Sequence, residues 1–561
     1  MRLSTAQDAV RDLQDSLAGW RQEGGPFSPA LLARLDADEA FPAAACQALD
    51  DAGLAASYVP AGHGGRLTDF PKVVAMIRAV ARHDLTVAVA HGKTFLGAVS
   101  VWVAGPSDLA DRLGRQIADG AVVCWGLTER GHGSDVLAGE LTGVRVPGGW
   151  RLDGEKWLIN NATRGRFACV LARTSPEGGA RGFTLFLVDK RQLPAGSFRC
   201  PGKIRTLGIR GADISGLSLD GAVVPDSAMV GEEGKGAETV LKALQLTRTA
   251  CAALSLGALD HAIDLARQFV VDRSLYGRSL VAMPLVRDGL GRIAARLFLA
   301  EAVTIVTTRA VHVAPQEMSV LSAVCKAFVP TVASQALAEV GELLGARGYL
   351  TDTFAHGAFA KLERDHRIVE IFDGTTPVNR QMLIGQFPRL GRTYGETDHM
   401  AAQRLTALVA GAMPGLAPSS LRLTPPSGCE LTLAVPGLLF SLRRRHPHDA
   451  SLHALLDSVE SACADVHAAM SAHRAAPGTP GPAAFRLAER YEWCVAAAAC
   501  LLLLSHVRSE RTVLGLRAGL QLAVEHLAGR PGDDDTFAAV AEQVLGGSVT
   551  LFTRHQETSP W

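Results

Sequence analysis

Apolar residues recur every three or four positions through residues 44–53, 70–82 and 109–117, the period of helices with one buried face, and predict a helical region over 1–118. The loop Val59-Pro60-Ala61-Gly62-His63-Gly64-Gly65 interrupts it, as clustered glycine and proline do. Near Ala121 the texture changes. Residues 121–127, 168–172, 183–188 and 217–219 are short β-prone runs bounded by Gly, Pro and Asp, and Pro147-Gly148-Gly149 between Val144/Val146 and Trp150/Leu152 is a hairpin signal. They predict a central β-barrel or sandwich over 119–232. Helical spacing returns with the stripe Leu259, Ala262, Ile263, Ala266, Phe269 and Val270 and continues through 283–313, 318–345 and 381–387, a four-helix bundle over 233–392. Beyond Arg392, Pro414, Pro418, Pro425 and Pro426 loosen the chain. A last helical stretch, 435–557, is broken at 477–482, so 393–561 reads as a helical extension. The class is α+β. Helices, then strands, then helices suit a cofactor lodged between the β domain and the bundle, because ligand sites favour domain interfaces.

Composition narrows this picture. A hydrophobic content of 48% supports a large core and argues against disorder. Lys and Arg balance Asp and Glu at 56 each, which leaves no field to attract nucleic acid. The first 22 residues mix Arg2, Asp8, Arg11 and Asp15 among apolar ones, unlike a secretion signal. The most apolar run, 494–504, is shorter than the roughly 20 residues that span a bilayer and reads as a buried helix. Membrane contact is therefore expected to be peripheral at most. Ten scattered cysteines without a CxxC pair suit reduced thiols, and a cytoplasmic location is expected. His356 and His366 have no metal-ligand spacing to a partner, and no metal is expected. Gly231-Glu232-Glu233-Gly234-Lys235-Gly236 lacks the ending of a phosphate loop and reads as a turn. The basic run Arg443-Arg444-Arg445 reads as a solvated face.

Two segments carry chemistry. Thr128-Glu129-Arg130-Gly131-His132-Gly133-Ser134-Asp135 follows a strand with a glycine-spaced loop, which offers backbone N–H groups and a hydroxyl to a closely approaching ligand. The other is Ile371-Phe372-Asp373-Gly374-Thr375, preceded by Arg364-Asp365 and followed by Asn379-Arg380. The first resembles the Thr-Glu-Pro-x-x-Gly-Ser-Asp signature of acyl-CoA dehydrogenases, with Arg130 in place of proline. The second resembles that family's Tyr-Glu-Gly-Thr base segment, with aspartate in place of glutamate. Asp153-Gly154-Glu155-Lys156-Trp157-Leu158-Ile159-Asn160-Asn161, Leu207-Gly208-Ile209-Arg210, Asp272-Arg273-Ser274-Leu275-Tyr276-Gly277 and Gly345-Ala346-Arg347-Gly348-Tyr349 extend the resemblance in the family's order over residues 40 to 390. The segment 485–507 is similar to the helical extension of very-long-chain acyl-CoA dehydrogenases, in which it accompanies dimers.

The resemblance implies a helix–barrel–helix flavoprotein that binds FAD and removes an α proton and a β hydride from an acyl thioester, carried by coenzyme A or an acyl-carrier protein. It implies Asp373 as the base, with Asp373 N–H helping to hold the thioester oxygen. Trp125, Leu127, Thr128, Ser134, Leu158, Ile159, Asn160 and Thr375 would line the flavin. Arg273 and Tyr276, with Glu342 and Gly345, would meet the FAD of a neighbouring subunit in a homodimer. Ser134, Gln245, Thr247, Arg248 and Gly374 would touch the substrate, and an electron-transfer flavoprotein is a possible redox partner.

Departures accompany the matches. Leu158 stands where the family has tryptophan, and Asn160 where it has threonine. Aspartate is one methylene shorter than glutamate, so on an unchanged backbone its carboxylate falls back by roughly 1.5 Å. A misplacement of about 1 Å can cost roughly a hundredfold in rate. Thr247 occupies the alternative base position of the family and cannot replace it. Two other readings stay open: a flavin-dependent oxidase or oxygenase on the same fold, and a non-catalytic relative that binds thioesters or partners.

Overall fold

The computed structural model describes residues 6–394, 404–425, 428–474, 479–529, 534–547 and 549–551 of the 561. The chain forms two compact units, Met1–Thr247 with Gly415–Leu423, and Arg248–Pro414 with Thr424–Trp561.

The first unit opens with helices α1 (Ala6–Trp20), α2 (Pro29–Ala37), α3 (Ala43–Asp51), α4 (Phe70–His83), α5 (Leu85–Ala104) and α6 (Ser107–Ala118). Asp84 closes α4 and starts α5, its carboxylate accepting the Val87 N–H at 2.8 Å. Helix α5 is buried on nearly every side, so it has no one-sided stripe for a periodicity reading to find. It and Pro315–Leu344 are long and apolar enough to cross a membrane, but most of each is buried inside the protein, as core helices are.

One mixed eight-stranded sheet follows: β1 (Val123–Gly126), β2 (Thr142–Val146), β3 (Gly149–Asn160), β4 (Phe167–Arg173), β5 (Phe183–Asp189), β6 (Phe198–Arg199), β7 (Ile214–Pro225) and β8 (Met229–Val230). The order is β6-β7-β3-β2-β4-β5-β8, with β1 added to β4. The expected hairpin is β2–β3, closing at Val146 opposite Gly149. The long β3–β7 ladder slips register twice, between Leu152 and Gly154 and between Trp157 and Ile159. Trp150, Leu152, Phe186 and Leu217 centre the core, the Trp150 and Phe186 rings lying 5.3 Å apart.

Helix α7 (Gly236–Asp272) continues past the unit boundary at Thr247. The second unit then carries the hairpin β9 (Ser274–Leu275) and β10 (Arg278–Ser279) and helices α8 (Pro284–Val313), α9 (Met318–Leu344), α10 (Ala346–Tyr349), α11 (Ala358–His366), α12 (Thr376–Ile384) and α13 (Phe387–Thr393). The extension adds α14 (Glu430–Leu433), α15 (Val435–Arg445), α16 (Ala450–Ala472), α17 (Pro482–Leu504), α18 (Glu510–Ala528) and α19 (Asp534–Leu545). It is no appendage: α17 packs on α8, α9 and α12, and α18 and α19 pack on α8. A Cβ on Gly291 would overlap the Phe537 carbonyl, so α8 and α19 meet where glycine allows backbone contact.

The stretch 435–557 breaks more often than its pattern predicts. Pro447 cannot continue α15, and the Asp449 carboxylate accepts the Leu452 N–H at 2.9 Å to start α16. Residues 477 and 478 of the expected break, and 552–557 of the expected helix, lie outside the described residues. Arg443 pairs with Asp457 and Glu460 on an exposed face, in keeping with the solvated reading of that run.

Candidate active site

Helix α11 ends at His366, a turn spans Arg367–Glu370, and the chain then bends sharply before α12. Asp373 sits at φ 55° and Gly374 at φ 99°. Left-handed backbone costs most side chains energy, but aspartate is among the few that tolerate it, its short polar group bonding locally. Strain of this kind concentrates at functional sites. Thr375 caps α12, its hydroxyl oxygen accepting the Val378 N–H at 3.3 Å. Pro377 fits the first turn of α12, where no N–H is needed.

Helix α7 supplies two side chains to this bend. Cys251 Sγ donates to the Asp373 carboxylate at 3.3 Å. Arg248, one turn earlier on the same face, donates from Nε to the Asp373 carbonyl at 3.2 Å and reaches Met382 Sδ at 2.9 Å. Lys326 of α9 donates to the carbonyls of Val369 at 2.7 Å and Gly374 at 3.0 Å. Asn379 donates to those of Gly374 and Thr375, each at 3.0 Å. Gly374's φ favours glycine, and a Cβ there would stand 3.2 Å from both the Arg248 guanidinium and the Asn379 amide, which would have to give way.

Arg248 and Lys326 are almost completely buried. Burial draws the Arg248 guanidinium down to about 10, against the pull of Asp373 and Cys251, and it stays charged near neutral pH. His366 bonds to the hydroxyls of Ser255 at 2.9 Å and Ser334 at 3.3 Å. Burial, with the Lys326 charge, holds its pKa down to about 3, so the ring is neutral. On α12, Arg380 donates from Nε and an amino nitrogen to the two Glu492 oxygens at 2.9 and 3.0 Å, and lies 3.4 Å from Glu489. Burial pushes the Glu492 carboxyl up to about 7, against the guanidinium. Burial works on Arg380 as well, yet its two glutamates leave its pKa raised. These directions disagree about the pair; the short two-pronged contact is that of an ionised one.

In the first unit the 128–135 loop is pinned to β3. The Thr128 hydroxyl donates to the Trp157 carbonyl at 2.7 Å, and Trp157 N–H returns a bond to the Thr128 carbonyl at 2.9 Å. The buried Glu129 carboxylate accepts N–H groups of Glu140 at 2.6 Å and Leu141 at 3.0 Å and the Lys156 ammonium at 2.7 Å. Burial opposes both charges. The donors nevertheless hold Glu129 below the usual carboxylate range, whereas burial leaves Lys156 lowered. With its carboxylate so well supplied, we read the pair as ionised. Arg130, which replaces the proline, lies over the Trp157 ring at 4.9 Å and near Glu155 at 3.4 Å, on the exposed side.

At the second register slip Leu158 takes φ 57° and is 45% exposed, while Ile159 points into the core. Trp125 Nε1 and Asn160 Oδ1 are buried polar atoms without a partner among the described residues, an uncommon state that a bound polar group relieves. Leu127 is half-buried and Ser134 exposed. Gln245 and Thr247 are buried, Gln245 donating to the Arg422 carbonyl at 2.7 Å and the Thr247 hydroxyl to the Leu244 carbonyl at 3.4 Å.

The structure thus gathers Arg248, Asp373, Gly374 and Thr375 into one bend. It places the remaining second-unit candidates on the surface of the single chain: Tyr276, 96% exposed, tips the β9–β10 hairpin, Arg273 lies over Phe269 at 5.5 Å, and Glu342 and Gly345 are exposed at the end of α9. Among the described residues no group of three or more His, Cys, Asp or Glu could hold a metal ion. Sequence reasoning passed over Cys251, Lys326 and Glu492. The available signals were the three-residue step from Arg248 to Cys251 and a lone lysine in an apolar run, Val324-Cys325-Lys326-Ala327-Phe328.

Three family models match in succession: acyl-CoA dehydrogenase, N-terminal domain, over residues 27–121; middle domain, over 124–222; and C-terminal domain, over 234–386. Together they take in more than half of the chain. The chain is 29% identical over 353 residues to a probable acyl-CoA dehydrogenase, FadE25, of Mycobacterium tuberculosis, covering 63% of this chain and 89% of that one. A structure of an acyl-CoA dehydrogenase complexed with FAD from Bacillus anthracis matches with a TM-score of 0.71 at 18% identity, covering 98% of this chain and 96% of that one. The prolyl acyl carrier protein oxidase AnaB matches with a TM-score of 0.61 at 19% identity, covering 69% of this chain and 99% of that one. At these identities the two structures speak to the fold, and the first shares it through the extension.

Proposed function

The chain belongs to the acyl-CoA dehydrogenase family, oxidoreductases acting on CH–CH bonds, and we propose that it is an FAD-dependent α,β-dehydrogenase of acyl thioesters with Asp373 as its base. The unpartnered Trp125 Nε1 and Asn160 Oδ1 suit a ligand with a polar edge. Trp125, Leu127, Thr128, Ser134, Leu158, Ile159, Asn160 and Thr375 are the residues that would line the flavin. When bound, FAD supplies the acceptor for the β hydride.

The chain's own residues do the proton chemistry. Asp373 takes the α proton onto its carboxylate, which the Cys251 thiol orients. Arg248 and Lys326 fix the main chain around it and bring positive charge close to where the thioester oxygen becomes negative. The convergence of Arg248, Cys251 and Lys326 on the Asp373 bend is the observation that carries this reading. The exposed Tyr276, Glu342 and Gly345, with the half-buried Arg273, suit a surface that a second copy covers, and a homodimer is part of the proposal. The substrate is a thioester of coenzyme A or of a carrier protein.

A visible spectrum of the purified protein, recorded anaerobically before and after a panel of acyl-CoA and acyl-carrier-protein thioesters, tests it. Bleaching of a bound flavin is expected with one member of the panel. A protein that stays colourless when offered FAD would end the enzymatic reading. Peroxide release on exposure to air would instead reassign the enzyme as an oxidase.

A further inference from the structure

We propose that the C-terminal extension is a positioning element for the base, through a latch in which Glu492 and Glu489 of α17 grip Arg380 of α12. The inference rests on Asp373 being that base. Helix α12 begins three residues after Asp373, and Arg380 lies in its second turn, so a displacement of this helix moves the bend with it. The residue before the latch, Asn379, donates to the carbonyls of Gly374 and Thr375. The latch and the bend are therefore joined by neighbouring side chains on one short helix.

The contact is built to set geometry. Two parallel N–H···O bonds of 2.9 and 3.0 Å fix both the separation and the plane of the partners. Glu492 is 1% exposed and Arg380 15%. A buried ion pair is a poor device for stability alone, because an apolar pair of similar volume often does as well; its best-attested use is to hold a register. Helix α17 also meets the other support of the bend. Trp493, next to Glu492, packs edge-on against Phe328 at 5.0 Å, two residues from the Lys326 that holds Val369 and Gly374. Behind Trp493, His526 of α18 stacks at 4.2 Å. One helix of the extension thus braces both α12 and α9, which with Arg248 of α7 fix the main chain around Asp373.

The test compares two ion pairs of the extension. Glu492→Gln breaks the latch. Glu525→Gln breaks the Arg292–Glu525 pair of 2.8 Å between α18 and α8, which is no part of the latch. Amide hydrogen exchange over residues 371–376 and the rate of flavin reduction by an acyl thioester are read in both full-length proteins, with Arg380→Lys as a milder break should Glu492→Gln not fold. Breaking the latch is expected to speed exchange at 371–376 and to slow reduction by about tenfold, with half-saturation and the flavin spectrum unchanged. Glu525→Gln should leave both readings at the native level. Equal changes in the two variants, or none in the latch variants, would overturn the proposal. Asp373→Asn in the same assay separates the underlying reading: full reduction there would remove the base, whereas the exchange result would still report on the latch.

Discussion

The 128–135 loop with its anchor on β3 in the first unit and the bend at 369–380 in the second both bury charge, but they use it in opposite ways. In the loop, Glu129 and Lys156 neutralise each other, and two backbone N–H groups finish the carboxylate. In the bend, Arg248 and Lys326 give their hydrogen bonds to the carbonyls of Asp373, Val369 and Gly374, and a thiol meets the Asp373 carboxylate. The loop is held rigid by a pair that consumes its own charge. The bend is held through its main chain, and a thiol meets its acid side chain.

Lys156→Met should break this comparison most strongly. It strands a buried carboxylate and is expected to cost about 3–5 kcal/mol of stability, read as a lower denaturant midpoint. Asp373→Glu tests the bend. Glutamate tolerates φ 55° less well and pushes its carboxylate past Cys251, so reduction by the native substrate should fall by about ten- to a hundredfold in stopped-flow measurements. Cys251→Ala removes one weak donor and should slow reduction by roughly fivefold, about 1 kcal/mol, without a comparable change in melting temperature.

Acid probes both units at once. His83 in the first unit and His366 in the second are held by burial at about 4 and about 3, below the ordinary 6.5. The unfolded chain therefore binds protons there that the folded chain refuses. Stability from both rings is full above pH 6.5 and falls as pH drops toward 3, which melting curves across that range should follow.

Much of the fold was legible because it is written locally. Short β-prone runs bounded by Gly, Pro and Asp marked β1, β4, β5 and β7, the hairpin signal marked β2 and β3, three- and four-residue spacing marked α7 to α9, and the two motifs marked the loop and the bend. Helix α5 escaped notice because it is apolar all round, and the breaks within the extension because caps such as Asp449 are single residues. Within the site, Asp373 was visible through its motif. Cys251 was not, since 122 residues separate it from the carboxylate it touches and nothing beside it in the chain announces that contact. Lys326 and Glu492 take their roles in the same way, from helices that meet only in the folded protein.

The central claim is that Asp373 removes the α proton. It is tested most directly by incubating the FAD-loaded protein with an acyl thioester in deuterated water, without an electron acceptor, and following deuterium at the α carbon by NMR. Exchange in the native protein and its loss in Asp373→Asn, with the flavin still bound, is the predicted result. Exchange at the native rate in Asp373→Asn would contradict the account and place the base elsewhere.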